Sequence, residues 1–209
     1  MNLPRLFASF GISFVFLMIA MIIHELSHGF TAYKLGDSTA KFSGRFTLNP
    51  LAHIDPLWSL LLPFLLFVSS NGQFISGAAK PTSINYWALD NKRTGVFLIG
   101  LSGLMANFLL ALFLTIFVRI VPLSADLTLI IIKFVVINIS LCVFNLIPIH
   151  PLDGSRILSS ILPKNLAVAY HNIKPYSFIL LLVLIWLGFF NSIVRPLAIS
   201  ILHLLGLPF

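Results

Sequence analysis

The sequence has few charged side chains. Only 9% of its 209 residues are Asp, Glu, Lys or Arg, and 58% are hydrophobic, whereas about a quarter of the residues in a soluble domain are charged. This scarcity excludes an ordinary soluble domain and predicts an integral membrane protein. No polar stretch is long enough for a separate domain, so residues 1–209 are interpreted as a single domain embedded in the lipid bilayer.

Cysteine is almost absent as well. Cys142 is the only one, so no internal disulfide can form, and its apolar surroundings in the sequence indicate a small buried hydrophobic residue. The net charge is +7, but no basic patch with aromatic side chains is visible. We therefore expect no nucleic-acid partner and interpret the positive excess as loop charges that orient the protein in the membrane.

The chain has a single glutamate, Glu25, which follows an uncharged run from Leu6 to Ile23. An ionisable group at membrane depth is costly and indicates function. In the segment His24-Glu25-Leu26-Ser27-His28, two imidazoles four residues apart stand on one helix face and can hold one metal ion. Glu25 can then take a proton from water. The alternative is that these three side chains only satisfy one another in a helix bundle.

The apolar runs predict an all-α membrane protein, a polytopic transmembrane helix bundle of about 4–6 spans. Four runs are long enough to cross: Leu6–Tyr33, Val96–Val118, Leu127–Ile149 and Pro175–Val194. The run Leu57–Val68 is shorter and contains Pro63, which favours a re-entrant or interfacial segment. The sequence does not decide whether residues 196–209 cross.

Between the first two full spans, Lys34–Pro56 is rich in glycine and proline and alternates around Lys41–Leu48. This pattern predicts a short strand or β-hairpin. A free strand edge near a metal site could pair with an opened substrate chain.

Positive charges predict the orientation of the chain. If the first helix ends inside the cell, nine Lys and Arg residues lie inside and three lie outside, with Lys133 within a span. This arrangement places the histidine motif near the cytoplasmic side. The nine inner residues are Lys34, Lys41, Arg45, Lys80, Lys92, Arg93, Arg156, Lys164 and Lys174, and the three outer ones are Arg5, Arg119 and Arg195.

A catalytic zinc site uses three protein ligands and keeps one open position, so two histidines require a partner. Asp153 is expected at similar depth, and Gly154 beside it permits a close backbone approach. His53 and His150 remain alternatives to it. The full set of candidates is His53, Asp55, His150, Asp153, His171 and His203, whereas Asp37, Asp90 and Asp126 are expected in solvated loops.

Three segments together resemble the site-2 protease family of intramembrane zinc metalloproteases. They are His24–His28, Asn49-Pro50-Leu51, and Asn145-Leu146-Ile147-Pro148-Ile149-His150-Pro151-Leu152-Asp153-Gly154. The resemblance covers about Phe14 to Leu162. The short chain is similar to the compact prokaryotic members that lack PDZ and CBS domains. The segment Gly103-Leu104-Met105-Ala106-Asn107 departs from the Gly-Pro-Leu-Ala-Asn that is frequent in the family.

The resemblance implies one Zn²⁺ per chain, bound by His24, His28 and Asp153, with Glu25 as general base. It also implies Asn145 near the active site, where its amide orients the substrate or stabilises the oxyanion. The alternative for Asn145 is a polar cap on backbone groups freed at the helix break.

The implied activity is cleavage of peptide bonds within or near transmembrane segments of membrane-protein substrates, in the bilayer of a prokaryotic cell membrane. Two other interpretations exist. A transporter or metal channel should scatter polar groups along several spans, whereas this chain concentrates them on two. A catalytically inactive, binding-only relative is disfavoured by the intact Glu25.

Overall fold

In the computed structural model, which describes residues 3–70, 72, 75, 77 and 79–207, all regular structure is helical. The predicted polytopic helix bundle is therefore confirmed. The α-helices are α1 Leu3–Lys34, α2 Thr39–Phe42, α3 Leu62–Ser69, α4 Lys92–Ile120, α5 Ala125–Asn145, α6 Asp153–Ile161, α7 Lys164–His171, α8 Ser177–Trp186 and α9 Arg195–Leu204. Short 3₁₀ turns occur at Pro50–Ala52 and Lys174–Tyr176, and π-helical turns at Pro56–Leu61 and Phe190–Val194.

Within the part of the chain that the structure describes, four helical stretches are long and apolar enough to cross a bilayer: Phe10–Lys34, Lys92–Ile120, Ala125–Asn145 and Lys164–Trp186. The last begins at Lys164 rather than at the expected Pro175. The helical turn at Lys174–Tyr176 joins α7 to α8 because proline is tolerated in a first helical turn. The shorter apolar stretch Pro56–Ser69 and α9, which is 10 residues or about 15 Å long, fall short of a 30 Å hydrocarbon core.

Polar side chains fix where several of these helices begin. Asn91 accepts a hydrogen bond from the Thr94 amide at the start of α4, and Ser124 accepts one from the Leu127 amide at the start of α5. Such caps satisfy amides that have no partner within the helix. The four-residue connection from α4 to α5 reverses the chain sharply, and the two helices pack antiparallel.

The prediction of a β-hairpin is wrong: in the described structure, no residue of 34–56 lies in a strand. The backbone of this region is bonded locally, as in the bonds from the Ser43 amide to the Thr39 carbonyl and from the Arg45 amide to the Ala40 carbonyl. Gly44 turns the chain with a φ of +70°. These bonds leave the alternating residues no partner strand, so substrate pairing along an edge here loses its basis.

Helices α1, α4 and α5 pack together, and α6 closes one end of the group. The core between them is apolar and includes the buried residues Leu17, Met21, Ala111, Ile139 and Phe144. Gly100 of α4 lets α6 approach closely, since a Cβ atom there would lie 3.3 Å from the Asp153 carbonyl oxygen. As a result, the last turns of α1, the first turns of α4 and the start of α6 meet at one end of the bundle.

Candidate metal centre

Helix α1 presents three side chains that can bind metal. The ligand-capable atoms of His24, Glu25 and His28 all lie within 4.8 Å of one another, and all three residues are buried. The two imidazole rings are 4.6 Å apart between centroids and nearly perpendicular. The continuous helix from Leu3 to Lys34 thus puts both histidines on one face, as their spacing requires.

Asp153 lies opposite these histidines at the first turn of α6. Its Oδ2 atom is 2.8 Å from His24 Nε2 and 3.0 Å from His28 Nε2, and the side chain is buried. The adjacent Gly154 is needed for this approach, because a Cβ atom there would collide with the backbone carbonyls of Leu146 and Ile147. One carboxylate oxygen therefore faces two imidazole nitrogens across a small buried space.

The proton arrangement on His28 suits a metal ion. Its Nδ1 donates to the Ile99 carbonyl over 2.7 Å, so in the neutral ring Nε2 carries a lone pair. That Nε2 atom makes no hydrogen bond in the described structure and faces the Asp153 carboxylate. Two electron-rich atoms at 3.0 Å need a proton or cation between them. Two imidazole nitrogens and one carboxylate oxygen are a donor set typical of catalytic zinc, so the residues fit this metal.

His24 has a different partner on its outer nitrogen. Its Nδ1 lies 3.4 Å from the Asn107 amide nitrogen, while the Asn107 Oδ1 is buried without a hydrogen-bond partner in the described chain. A half-turn of the amide lets Oδ1 accept the Nδ1 proton, which satisfies both groups. His24 Nε2 then also carries a lone pair toward Asp153. Partners of this kind orient metal-binding histidines.

Glu25 is held by a backbone amide from a distant part of the chain. Its Oε2 accepts a 2.7 Å hydrogen bond from the Thr82 amide, and the Thr82 hydroxyl donates to the Glu25 carbonyl over 3.1 Å. These two bonds clamp the extended segment around residue 82 against α1. The second carboxylate oxygen of Glu25 is left to act on another group.

Arg156 orients Asp153 from the other side. Its Nη1 donates to Asp153 Oδ1 over 2.5 Å, whereas Oδ2 faces the histidines. Burial acts to raise the pKa of Asp153, but the attraction of its carboxylate to the His28 ring and the Arg156 guanidinium outweighs burial and holds that pKa well below its usual range. The carboxylate is therefore ionised near neutral pH, which is the form that binds metal.

Gly103 of α4 makes room for both imidazoles. A Cβ atom at this position would lie 2.5 Å from His24 Cε1 and 2.6 Å from His28 Cε1. Real Cβ atoms do not approach other atoms so closely. The hydrogen atom of Gly103 therefore faces the rings directly.

We expect Gly103→Ala to weaken zinc binding by about 10- to 100-fold, the effect typical of disturbing groups that orient metal ligands. The added methyl group must displace two rings whose positions set the ligand geometry. Competition with a coloured chelator measures the affinity. Gly11→Ala is the matched control, because a Cβ atom there meets nothing within 4 Å. Equal affinities in the two variants would contradict this account of the rings.

The other candidate ligands are engaged elsewhere. His53 is buried and donates from Nε2 to the Thr47 carbonyl over 2.9 Å, and Asp55 accepts from the Leu57 and Trp58 amides at the helix start. His150 and His171 stack on each other with ring centroids 5.4 Å apart. His203 is exposed on α9. Of the candidates for third ligand, Asp153 is the one whose carboxylate approaches both motif histidines.

Of the three aspartates assigned to solvated loops, Asp90 and Asp126 are exposed, but Asp126 lies in the first turn of α5 rather than in a loop. The assignment of Asp37 is wrong, because this side chain is only 1% exposed. Its two oxygens accept from the Thr39 and Asn85 amides over 2.9 and 2.7 Å. Asp37 thus ties the end of α1 to the segment that precedes α4, which helps to hold Thr82 near Glu25.

Asn145 is buried at the end of α5, and its Nδ2 donates to the Leu141 carbonyl over 3.0 Å. This bond reaches back four residues to a carbonyl inside the helix rather than to a group freed at the helix break. A role beside the reacting peptide stays a prediction.

Four contributors to the site were not recognised as such in the sequence: Thr82, Gly103, Asn107 and Arg156. Two of them carry a local signal. Asn107 follows Gly103 by four residues, so both face α1, and Arg156 follows Asp153 by three, so the two side chains meet on one helix face. No local signal indicates Thr82, because its role depends on a backbone amide.

Comparison with known proteins gives consistent matches. The model of Peptidase family M50 matches residues 122–188. The chain is 32% identical over 177 residues to the Bacillus subtilis (strain 168) protein named "Putative zinc metalloprotease YwhC", a match that covers 80% of this chain and 77% of YwhC. No solved structure matches the chain at a significant level.

The matches to two further relatives cover a smaller share of those proteins. The Mycobacterium tuberculosis (strain ATCC 25618 / H37Rv) protein "Putative zinc metalloprotease Rip2" is 31% identical over 169 residues, which are 80% of this chain and 63% of Rip2. "Zinc metalloprotease MJ0392" of Methanocaldococcus jannaschii is 27% identical over 154 residues, 74% of this chain and 35% of that protein. The chain thus spans less than two thirds of these two relatives.

Proposed function

We propose that this chain, which belongs to peptidase family M50, the site-2 protease family, hydrolyses peptide bonds within or near transmembrane segments of membrane proteins. The observation that carries the proposal is the approach of Asp153 Oδ2 to both motif histidines, beside the buried Glu25. The group lies on one helix long and apolar enough to cross a bilayer, α1, and packs against a second, α4. Substrates that themselves lie in the membrane can reach such a site.

Zinc is the cofactor, in keeping with the relatives' names and the histidine–glutamate cluster. We assign His24, His28 and Asp153 as the residues that hold it, one ion per chain. When bound, zinc acts as a Lewis acid that polarises the scissile carbonyl and makes water more acidic. The hydrogen bonds of His28 to Ile99 and of Asp153 to Arg156 keep the ligand atoms aimed at that ion.

Glu25 is the general base of this proposal. The Thr82 amide fixes one of its oxygens, so the other can accept a proton from the attacking water and pass it to the departing amine. Glu25 is only 8% exposed, and the scarcity of competing water strengthens its interaction with the reacting groups. Asn145 is retained as a candidate for orienting the substrate from the end of α5.

A direct test uses the purified protein in liposomes with a transmembrane peptide substrate. We expect cleavage that stops when a strong chelator removes zinc and resumes when stoichiometric zinc is returned, because the proposed centre depends on the metal. Mass spectrometry of the products shows whether the cut lies within or near the membrane segment. Cleavage that persists in the metal-free protein would refute a zinc protease.

The side of the membrane is a separate proposal, supported by the positive-charge count. In a variant that lacks Cys142, we expect Lys41→Cys and Lys164→Cys to be shielded from a membrane-impermeant thiol reagent in intact cells. We expect Ala125→Cys to react, since it begins α5 at the opposite end of the bundle. Permeabilised cells, in which all three should react, are the control. The reverse labelling pattern would invert the orientation and put the active site near the outer face.

A further inference from the structure

A cavity of about 710 Å³ lies beside the residues that support the metal centre, between the starts of α4 and α7 and one face of α6. Thr82 and Arg156 form part of its wall. These residues hold Glu25 and Asp153 in place. A peptide whose scissile bond lies at the metal centre would therefore extend into this cavity on one side of that bond.

The cavity wall is strongly cationic. Arg156 is paired with Asp153, whereas Arg93 donates to the neutral carbonyls of Ser160, Ile161 and Leu162 and keeps an uncompensated charge. The ion pairs of the described chain do not include Lys92, Lys164 or Lys174. Among the described lining residues there is no Asp or Glu; the basic ones are Lys92, Arg93, Arg156, Lys164 and Lys174, with His150 and His171.

His150 lies within the resulting field. Burial lowers its pKa, and the charges of His171, Lys174 and Arg156 lower it further. Its Nδ1 meets the Ser155 hydroxyl at 3.0 Å, and its ring stacks on that of His171 with centroids 5.4 Å apart. The lowered pKa keeps the ring neutral near pH 7, so the positive charge of the wall comes from its lysines and arginines.

We propose that this cavity binds the substrate segment next to the scissile bond and selects segments that carry Asp or Glu. The inference rests on the proteolytic function proposed above. Carboxylates complement the uncompensated cations of the wall. A peptide is favoured over other anions because the wall includes the supports of the base and of the third ligand.

The first experiment measures binding without turnover. Fluorescence anisotropy with the zinc-loaded Glu25→Gln variant compares labelled transmembrane peptides that carry three Glu, three Gln or three Lys residues on one flank of the cleavage site. The two flanks are tested in separate series. On one flank we expect the Glu peptide to bind about tenfold more tightly than the Gln peptide, and the Lys peptide most weakly. Raising ionic strength should reduce the difference, because the lysines are exposed.

The second experiment cancels the excess positive charge of the cavity wall. In the double variant Lys164→Glu/Lys174→Glu, the two glutamates offset the remaining Lys92 and Arg93, so the preference for the Glu peptide should fall to about none in both binding and kcat/KM. Zinc content equal to that of the wild type demonstrates that the variant is folded. The control is Lys34→Glu/Lys41→Glu, which changes net charge equally at exposed positions outside the cavity. It should keep the preference for Glu.

Equal affinity for the three peptides on both flanks would overturn the inference, as would an unchanged preference in the Lys164/Lys174 variant. These results differ from a failure of the proposed function. In that case the zinc-loaded wild-type protein cleaves none of the peptides, while binding to the Glu25→Gln variant still reveals whether the cavity selects acidic chains.

Discussion

Replacing Glu25 with glutamine is expected to lower kcat by about 10²- to 10⁴-fold while zinc remains bound, since general-base catalysis contributes a factor of this size. Glutamine has nearly the same shape as glutamate, and its carbonyl oxygen can still accept the bond from the Thr82 amide. The proton acceptor alone is removed. The measurements are kcat with a transmembrane peptide and zinc content by elemental analysis.

The comparison variant for this experiment is Glu25→Ala, which removes the base and also the bond to Thr82. We expect it to lose activity to a similar extent and to melt at a lower temperature than Glu25→Gln, because a buried amide is left without its acceptor. Cleavage near the wild-type rate by the glutamine variant would show that another group accepts the proton. The zinc site could then be correct while the assigned base is wrong.

Asp153→Ala is expected to abolish stoichiometric zinc binding and, with it, proteolysis. The substitution removes the carboxylate that lies 2.8 and 3.0 Å from the two histidine nitrogens. It also leaves the Arg156 guanidinium without its acidic partner, which adds a destabilising, uncompensated charge. Zinc content after dialysis and the midpoint of thermal unfolding separate these two effects.

Two further variants sharpen this test. Asp153→Asn preserves volume but weakens metal binding, whereas Arg156→Gln keeps the carboxylate and removes only its orienting partner. We expect Arg156→Gln to retain zinc with an affinity reduced about 10- to 100-fold. Full zinc retention in Asp153→Ala would reject this ligand. His53 and His150 would then have to leave their present partners, Thr47 and Ser155, to replace it.

The part of the site on α1 was predictable because a helix converts a spacing of four residues into a shared face. The meeting of His24 with Asp153 joins residues 129 positions apart. Spacing alone left His53 and His150 as alternatives to Asp153, and the family resemblance was needed to choose. The contact between Glu25 and Thr82 spans 57 positions and uses a backbone group, so no residue pattern could indicate it.

The wrong predictions for the β-hairpin and for Asp37 also have their cause in contacts that the local sequence does not specify. The alternation in Lys41–Leu48 resembles a strand, but a strand needs a partner, and local bonds such as Arg45 to Ala40 form instead. The sequence around Asp37 predicts a solvated loop residue, but the amides of Thr39 and Asn85, which belong to separate segments, both donate to its carboxylate. In both cases, the hydrogen-bond partner that determines the local structure lies outside the sequence segment on which the prediction was based.

The hydrogen bond from the Thr82 amide to Glu25 has a consequence for mutational tolerance. Because the donor belongs to the main chain, any residue except proline at position 82 can supply it. The threonine hydroxyl adds only its bond to the Glu25 carbonyl. The bond to Glu25 therefore requires no particular side chain at this position, and the burial of residue 82 limits only the size of its replacements. A comparison of side chains among related sequences would therefore miss this backbone amide, which binds the proposed general base.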